Sequence, residues 1–352
     1  MIRNITLYIF LAYCFSGCIK QVELPIRSVE KLLVVDGGIS NDTTAYTVRL
    51  SYSGGFRFGN FIPDSLIEEH ATIIIKDEYG NQAAMIHRSN GIYQTEDTSY
   101  VGVPGRAYSV EITLPDGRKY LSTPEKMPTP VTSNEVSNIQ FDFFHYNFKN
   151  PSQFKIYANI QDPVDQENYY LWKSSGFIPR KATGVPCGFS CIKGEYCQQS
   201  MFDTTLRFFS DQTINGNLIT DQLVATTPVY WFGKYYIDLQ QFSITRSAYQ
   251  FLRQVQEQSE KTGSILDPLP SSIAGNVSNA ANPADRALGF FSVSSVYHHR
   301  VVLLPLSLTQ FILDQTASRF IPVGECVLQL PNTTELMDPP GFGNAERIKF
   351  SW

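Results

Sequence analysis

The sequence predicts a mainly β protein, with an N-terminal immunoglobulin-like antiparallel sandwich followed by a larger β-rich domain with one amphipathic helix. Residues 31–123 alternate apolar and polar side chains with a period of two, as expected for strands with one buried face. Turns rich in glycine and asparagine interrupt this alternation. Hydrophobic residues make up 43% of the 352 residues and charged residues 17%, a composition that supplies a core and excludes disorder.

The first predicted domain comprises residues 31–127. Its clearest strands are 46–52 and 108–114, in which apolar and polar side chains strictly alternate. A register slip of one residue would turn the apolar side chains of these strands to solvent. Candidate turns occur at 36–38, 79–81, 90–91 and 115–117. Short strands at this spacing are typical of an antiparallel sandwich of the immunoglobulin type.

The second predicted domain comprises residues 131–352. Three prolines at 124, 128 and 130 can neither pair regularly in a sheet nor continue a helix, so they mark the boundary. Further strands are predicted from segments rich in tyrosine, tryptophan, valine and phenylalanine: 154–160, 168–176, 229–239, 288–296 and 300–306.

One amphipathic helix is predicted near residues 245–262. Its apolar side chains recur three and four residues apart, as on one helical face: Ile244, Ala248, Phe251, Leu252 and Val255. Ser243 or Thr245 can cap the first turn, and Gly263 favours termination just beyond the last turn. We expect the apolar face to pack on a sheet.

The first 17 residues are typical of a lipoprotein signal peptide. A short basic start precedes an apolar stretch that is too short to span a bilayer. The stretch ends in Phe15-Ser16-Gly17-Cys18, an order that resembles the bacterial lipobox. Cys18 is therefore the predicted lipidation site, and residues 18–30 would tether the body to the membrane. The alternative is an ordinary secretory signal with a chance cysteine.

Four further cysteines are disulfide candidates in an oxidising compartment: Cys187, Cys191, Cys197 and Cys326. Four cysteines allow three pairings, among which we favour one bridge within 187–197 and one to Cys326. Zinc is the alternative. The spacings C-x3-C and C-x5-C, with no histidine between His145 and His298, differ from those of structural zinc sites, so no metal is predicted.

Aromatic residues provide the candidate binding surface. The candidate binding residues are Tyr230, Trp231, Phe232 and Tyr235. Aromatic side chains stack on sugars and anchor protein interfaces. Five aromatics fall among the seven positions 230–236, more than one buried strand face holds. We expect some of them to be exposed or to contact another chain, whereas the alternative is that alternate ones fill the core.

No catalytic motif occurs, so no enzymatic activity, catalytic residue or cofactor is predicted. Both Gly-x-Ser-x-Gly and His-Glu-x-x-His are missing from the sequence. Two carboxylate pairs could serve a hydrolase: Asp162 with Asp165, and Asp211 with Asp221. Turn-forming and solvated roles are more common at such positions. The adjacent His298 and His299 would point to opposite faces of a strand, which disfavours binding of one metal ion by both.

Several motifs together carry a family resemblance: the lipobox, 31–37, 71–80, 91–93, 105–127, 243–251, 263–270, 275–276 and 288–293. Their order and spacing resemble the Bacteroidota outer-membrane lipoproteins catalogued as domain of unknown function 4249. Val327, Leu328 and Gln329 follow Cys326, where family members often carry a second cysteine. The resemblance implies an outer-membrane lipoprotein, commonly encoded beside a TonB-dependent transporter, and it implies no enzymatic activity.

These observations predict a non-enzymatic, lipid-anchored outer-membrane protein that is an accessory or substrate-capture partner of a TonB-dependent transporter. Its body is expected at the cell surface rather than at the periplasmic face. A nucleic-acid partner is excluded because the net charge is −5 and no basic block occurs. The alternatives are a free-standing surface lipoprotein that binds glycans or peptides, an envelope assembly scaffold and, third, a hydrolase.

Overall fold

The computed structural model describes residues 31–54, 64–132, 134–142, 153–164, 166–181, 196–228, 235–260, 273–305 and 342–350. Within these ranges the chain forms seventeen β-strands, one short 3₁₀ turn and one α-helix. The predicted mainly β fold class is therefore confirmed.

The N-terminal strands alternate in burial as the sequence predicts. They are β1 (Leu33–Ile39), β2 (Thr47–Tyr52), β3 (Thr72–Asp77), β4 (Gln82–Ser89), β5 (Ile92–Thr95), β6 (Ala107–Thr113), β7 (Lys119–Ser122) and β8 (Glu125–Lys126), with the 3₁₀ turn at Asp64–Leu66. In β6, Tyr108, Val110 and Ile112 are buried whereas their neighbours are partly exposed. This alternation sets one face of each strand toward a shared core.

The remaining strands are longer on average. They are β9 (Asn134–Asp142), β10 (Gln153–Gln161), β11 (Tyr169–Lys181), β12 (Tyr196–Ser210), β13 (Leu218–Pro228), β14 (Tyr235–Ile244), β15 (Ala274–Asn279), β16 (Arg286–Pro305) and β17 (Glu346–Phe350), and helix α1 spans Arg246–Glu260 between β14 and β15.

Nine strands form a closed sheet. Their order is β1-β2-β5-β4-β3-β6-β7-β15-β16, and β16 pairs in parallel with β1 to complete the circuit. The two-sheet immunoglobulin-like sandwich predicted for residues 31–127 is not confirmed, because β1–β7 lie in one sheet. Strands β15 and β16 complete that sheet from beyond the predicted boundary at 127–131. The interior is lined by side chains such as Val35, Leu50, Ile75 and Phe291.

Strand β16 connects the closed sheet to a second layer. Its residues Leu288–Val293 pair with β1, whereas Ser294–Leu303 pair with β14. The sequence predicted two strands here, at 288–296 and 300–306, but the structure has one continuous strand of 20 residues. Beyond β16 the same sheet continues through β14, β11 and β12, and β17 pairs with the end of β16.

A separate three-stranded sheet, β13-β10-β9, covers one face of this extension. Apolar side chains of both layers form a second core, including Phe154, Ile156, Trp172 and Leu303. Helix α1 covers part of the opposite face, where Ala248 packs with Tyr169 and Ile244. The extension is therefore covered on one face by the three-stranded sheet and on part of the other by the helix.

Helix α1 is fixed at its N-terminus. The hydroxyl of Thr245 accepts a hydrogen bond from the backbone N–H of Ala248 at 3.2 Å, which makes Thr245 the N-cap. The hydroxyls of Thr245 and Ser247 donate to the buried carboxylate of Glu125 in β8. A carboxylate at this helix end is also favourable for the helix dipole. No helix among the described residues has the length and apolar character needed to cross a membrane.

Candidate functional site

An apolar groove of about 710 Å³ runs between helix α1, strand β1 and the face of the extension formed by β11 and β14. Its apolar lining includes Leu171, Leu206, Phe242, Phe251, Leu252, Val255 and Phe290. These side chains are half-buried, and Leu206 remains 39% exposed. Concave, mostly apolar sites of this size are typical of small-molecule binding.

The groove exists because α1 covers the sheet only in part. The helical periodicity places Ala248, Phe251, Leu252 and Val255 on one stripe, but of these only Ala248 is buried. Across the groove, Leu171 and Phe242 are direct partners in β11 and β14. The ring of Phe251 lies 5.1 Å from that of Phe290 in β16, and Leu252 packs beside Ala248, while Phe251, Leu252 and Val255 all remain partly exposed.

Two charged residues line the groove at opposite ends. Lys173 in β11 pairs with Gln240 in β14, which in turn pairs with His298 in β16. Asp36 in β1 pairs with Phe290 in β16. Eight residues of β16 separate these two positions, about 26 Å of strand at 3.3 Å per residue. The ammonium of Lys173 lies 5.1 Å from the ring centroid of Phe242. No carboxylate of the described residues forms an ion pair with it.

The loop between β1 and β2 forms a rim of the groove through Ser40, Thr44 and Ala45. The side-chain amide of Asn41 holds this loop on β16: its oxygen accepts from the N–H of Val296 at 2.6 Å, and its nitrogen donates to the carbonyl of the same residue at 3.2 Å. The side-chain amide thus satisfies both backbone polar groups of Val296 at a position beyond the end of β1, where no strand residue is available to do so.

His298 ties the same loop to β14. Its Nδ1 lies 2.9 Å from Asp238 Oδ2, and its Nε2 lies 3.3 Å from Asp42 Oδ2. The hydrogen bond to Asp238 is the main cause that raises the pKa of His298, with the charge of Asp42 acting in the same direction. Burial and the nearby charge of Arg300 oppose this rise. When protonated, the imidazole has a carboxylate on each side: Nδ1 is hydrogen-bonded to Asp238, and Nε2 faces Asp42 at ion-pair distance without a hydrogen bond.

We expect substitution of His298 by glutamine to weaken the fold at acidic pH more than at alkaline pH. Because the folded-state pKa is raised, the histidine stabilises the protein fully below its unfolded pKa near 6.5, and this contribution is lost as the pH rises through the folded pKa. The measurement is urea unfolding of the wild type and the variant at about pH 5.5 and pH 8.5. The free energy of unfolding lost on substitution should be larger at the lower pH by about 1 kcal/mol. The exposed His70, replaced by glutamine, is the matched control, and an equal change in both variants would contradict the bridge.

The two adjacent histidines point to opposite faces, as the sequence predicts. His299 Nε2 lies 2.8 Å from Glu346 Oε2 of β17, on the face away from Asp238. Both histidines lie within β16 and are partly buried. Among the residues that the structure describes, no group of three or more His, Cys, Asp or Glu side chains is placed to hold a metal ion.

Most of the sequence-predicted site residues lie outside the described ranges: Cys18, Cys187, Cys191, Cys326, Tyr230, Trp231 and Phe232. Of Cys197 only the backbone, in β12, is described. Tyr235 is fully buried and packs edge-on against Phe154, with ring centroids 5.2 Å apart. It is a core residue and contributes no binding surface.

The structure brings together two carboxylates that the sequence analysis had placed in different pairs. Asp162 follows β10, Asp211 follows β12, and both are buried. Asp162 accepts hydrogen bonds from the Tyr170 hydroxyl at 2.5 Å and from the N–H of Gly216 at 2.8 Å. Burial, and then the charge of Asp162, raise the pKa of Asp211. A pair enclosed in this way supports the fold and is closed to a substrate.

The groove residues were not identified as a site from the sequence. The available signal was the apolar stripe of α1, which was interpreted as a core-facing helix because a stripe does not reveal how far it is covered. Leu171, Phe242 and Lys173 gave no signal, since alternation along a strand does not show which element lies opposite.

Comparison with known proteins gives one family. No curated protein matches the chain. The sequence profile described as "Domain of unknown function (DUF4249)" matches residues 19–300, which include eight strands of the closed sheet and most of the ninth, β16, together with helix α1 and the lining of the groove. Because the match extends over most of the chain and agrees with the motifs seen in its sequence, this protein belongs to the DUF4249 family.

Proposed function

We propose that this protein is a non-enzymatic, lipid-anchored lipoprotein of the outer membrane that captures a substrate for a TonB-dependent transporter at the cell surface. The apolar groove is the capture site in this proposal. The observation that carries it is the partly exposed apolar face of α1, which lies opposite an equally accessible strip of β11 and β14.

The lining of the groove favours binding over catalysis. It combines apolar side chains with hydroxyls and two separated charges, and contains no histidine or cysteine among the described residues. A nucleophile activated by a neighbouring base, as hydrolases require, is therefore not assembled there. The anchor is supported by the order Phe15-Ser16-Gly17-Cys18, and the transporter partnership by the resemblance to lipoproteins that are commonly encoded beside such transporters.

The alternative of a free-standing glycan or peptide binder has less support. It depends on the aromatic residues of 230–235, of which the structure describes Tyr235 alone, and that side chain is buried. A scaffold role has no specific contact surface in its favour among the described residues. The groove is thus the feature around which the proposed function is built.

The proposal is tested by purifying a C-terminally tagged full-length protein from outer membranes solubilised in mild detergent. We expect a TonB-dependent transporter, identified by mass spectrometry, to copurify in near-equal amount. A Cys18→Ala variant is the control, since loss of the acyl chains is expected to release the protein from the membrane fraction. Recovery of the wild-type lipoprotein alone, at a detergent concentration that keeps other outer-membrane complexes intact, would contradict the partnership.

A further inference from the structure

We propose that the apolar groove binds a long-chain carboxylate, with the carboxylate group at Lys173 and the alkyl chain along the exposed stripe of α1. This inference rests on the proposed function in that it names the class of ligand for the same groove. Its support is the chemistry of the lining, considered in three steps below.

The first step is the apolar surface. Phe242 and Leu171 on the sheet and Phe251 and Leu252 on the helix face each other, half-buried, across the groove. A flexible alkyl chain placed between them removes apolar surface on both walls from water, and each buried methylene raises affinity about fourfold. The volume of about 710 Å³ lies within the range of sites for ligands of this size.

The second step excludes ligands rich in polar groups. A bound peptide exposes an N–H and a C=O at every residue, and each needs a partner when it is taken from water. The strands β1, β11 and β14 that line the groove are hydrogen-bonded to neighbours on both sides, and only β12, which contributes Leu206, lies at an edge of the sheet. The other polar side chains of the lining are six hydroxyls, including Ser40, Thr47 and Ser292, and a glycan, which carries several hydroxyls on each sugar unit, would place many of them against the apolar walls. An alkyl chain makes no such demand.

The third step is charge. Lys173 is exposed, forms no ion pair with the described residues, and has its ammonium over the ring of Phe242. A carboxylate bound there would contact the ammonium directly and form a charge-assisted hydrogen bond. Asp36 at the opposite end of the groove disfavours a second negative charge. The two residues together select a ligand with one anionic end and fix its orientation.

The experiment is a calorimetric titration of the mature full chain with three twelve-carbon probes: dodecanoate and dodecyltrimethylammonium, each below its micelle concentration, and 1-dodecanol below its solubility limit. We expect dodecanoate to bind about tenfold more tightly than dodecanol, and the cation to bind most weakly. In Lys173→Met, which retains apolar volume, this preference for the anion is expected to disappear while dodecanol still binds. Lys126→Met is the matched control, because Lys126 is exposed and lies outside the groove.

Equal affinity of the wild type for all three probes, or an unchanged preference in Lys173→Met, would overturn the assignment of the carboxylate to Lys173. If none of the three probes binds, the inference as a whole is overturned. Neither result bears on copurification with a transporter, which is measured separately. Failure of the ligand class and failure of the proposed function can therefore be told apart.

Discussion

Replacement of Gly289 by alanine is expected to lower the free energy of unfolding by about 3 kcal/mol. Gly289 has a φ of +82°, a conformation that L-residues with a Cβ rarely adopt. A Cβ at this position would also collide with the carbonyl oxygen of Val35 in β1. The pairing of Val35 with Gly289 belongs to the parallel contact that closes the nine-strand sheet, so the backbone cannot retreat without opening it.

The control for this variant is Gly117→Ala. Gly117 has a φ of +87°, yet a Cβ there would meet nothing within 4 Å, so this variant reports the conformational cost alone, about 1 kcal/mol. Urea unfolding of both variants, with circular dichroism to verify that each retains its β-structure, gives the comparison. Equal destabilisation of the two variants would show that the close approach of β1 and β16 is not needed for stability.

The strands of the first half could be predicted from the sequence, but their arrangement could not. The alternation in 46–52 and 108–114 identifies the buried face of each strand, and the structure buries Val48, Leu50, Val110 and Ile112. Alternation does not identify the neighbouring strand. The partner that closes the sheet at β1 lies about 250 residues along the chain, and loop closure over such distances costs little extra free energy.

The aromatic cluster shows a second limit of sequence-based prediction. Exposure of some of the five aromatics was predicted because they exceed the capacity of one buried strand face, and of the five the structure describes Tyr235 and Tyr236 alone. In the structure both faces of β14 are covered: Tyr235 packs in the core shared with the three-stranded sheet, and Tyr236 packs on the other face with Phe177 and Phe342. Consecutive aromatics can therefore both be buried, and only the layers around a strand decide this.

The other large effect is expected on removal of the Asp162 carboxylate. Asp162→Ala would leave the hydroxyl of Tyr170 and the N–H of Gly216 without their acceptor, and would remove a 3.3 Å contact with the Asn168 side chain. Because Tyr170 and Asp162 are buried, water cannot readily replace this carboxylate, and each unsatisfied donor costs about 1–3 kcal/mol. We expect a loss of about 4 kcal/mol in urea unfolding. Asp221→Asn, which neutralises an exposed carboxylate and suits the φ of +50° at this position, is the control and should change stability by less than about 1 kcal/mol.

The partner Asp211 is expected to behave in the opposite way, and this separates the roles of the two carboxylates. Its Oδ1 is buried without a hydrogen-bond partner among the described residues, and its pKa is raised, so the carboxyl is protonated more easily in the folded protein than in the unfolded chain. This contribution to stability is complete below the unfolded pKa near 3.9 and is lost as the pH rises through the raised folded value. In the wild type the backbone N–H of Asn168 donates to Asp211 Oδ2 at 2.8 Å. The asparagine of Asp211→Asn is neutral at every pH and retains an oxygen that can accept this hydrogen bond. At neutral pH the variant should therefore be at least as stable as the wild type. A destabilisation as large as that of Asp162→Ala would instead mean that the fold depends on the negative charge of Asp211. That result would contradict the role inferred from its raised pKa.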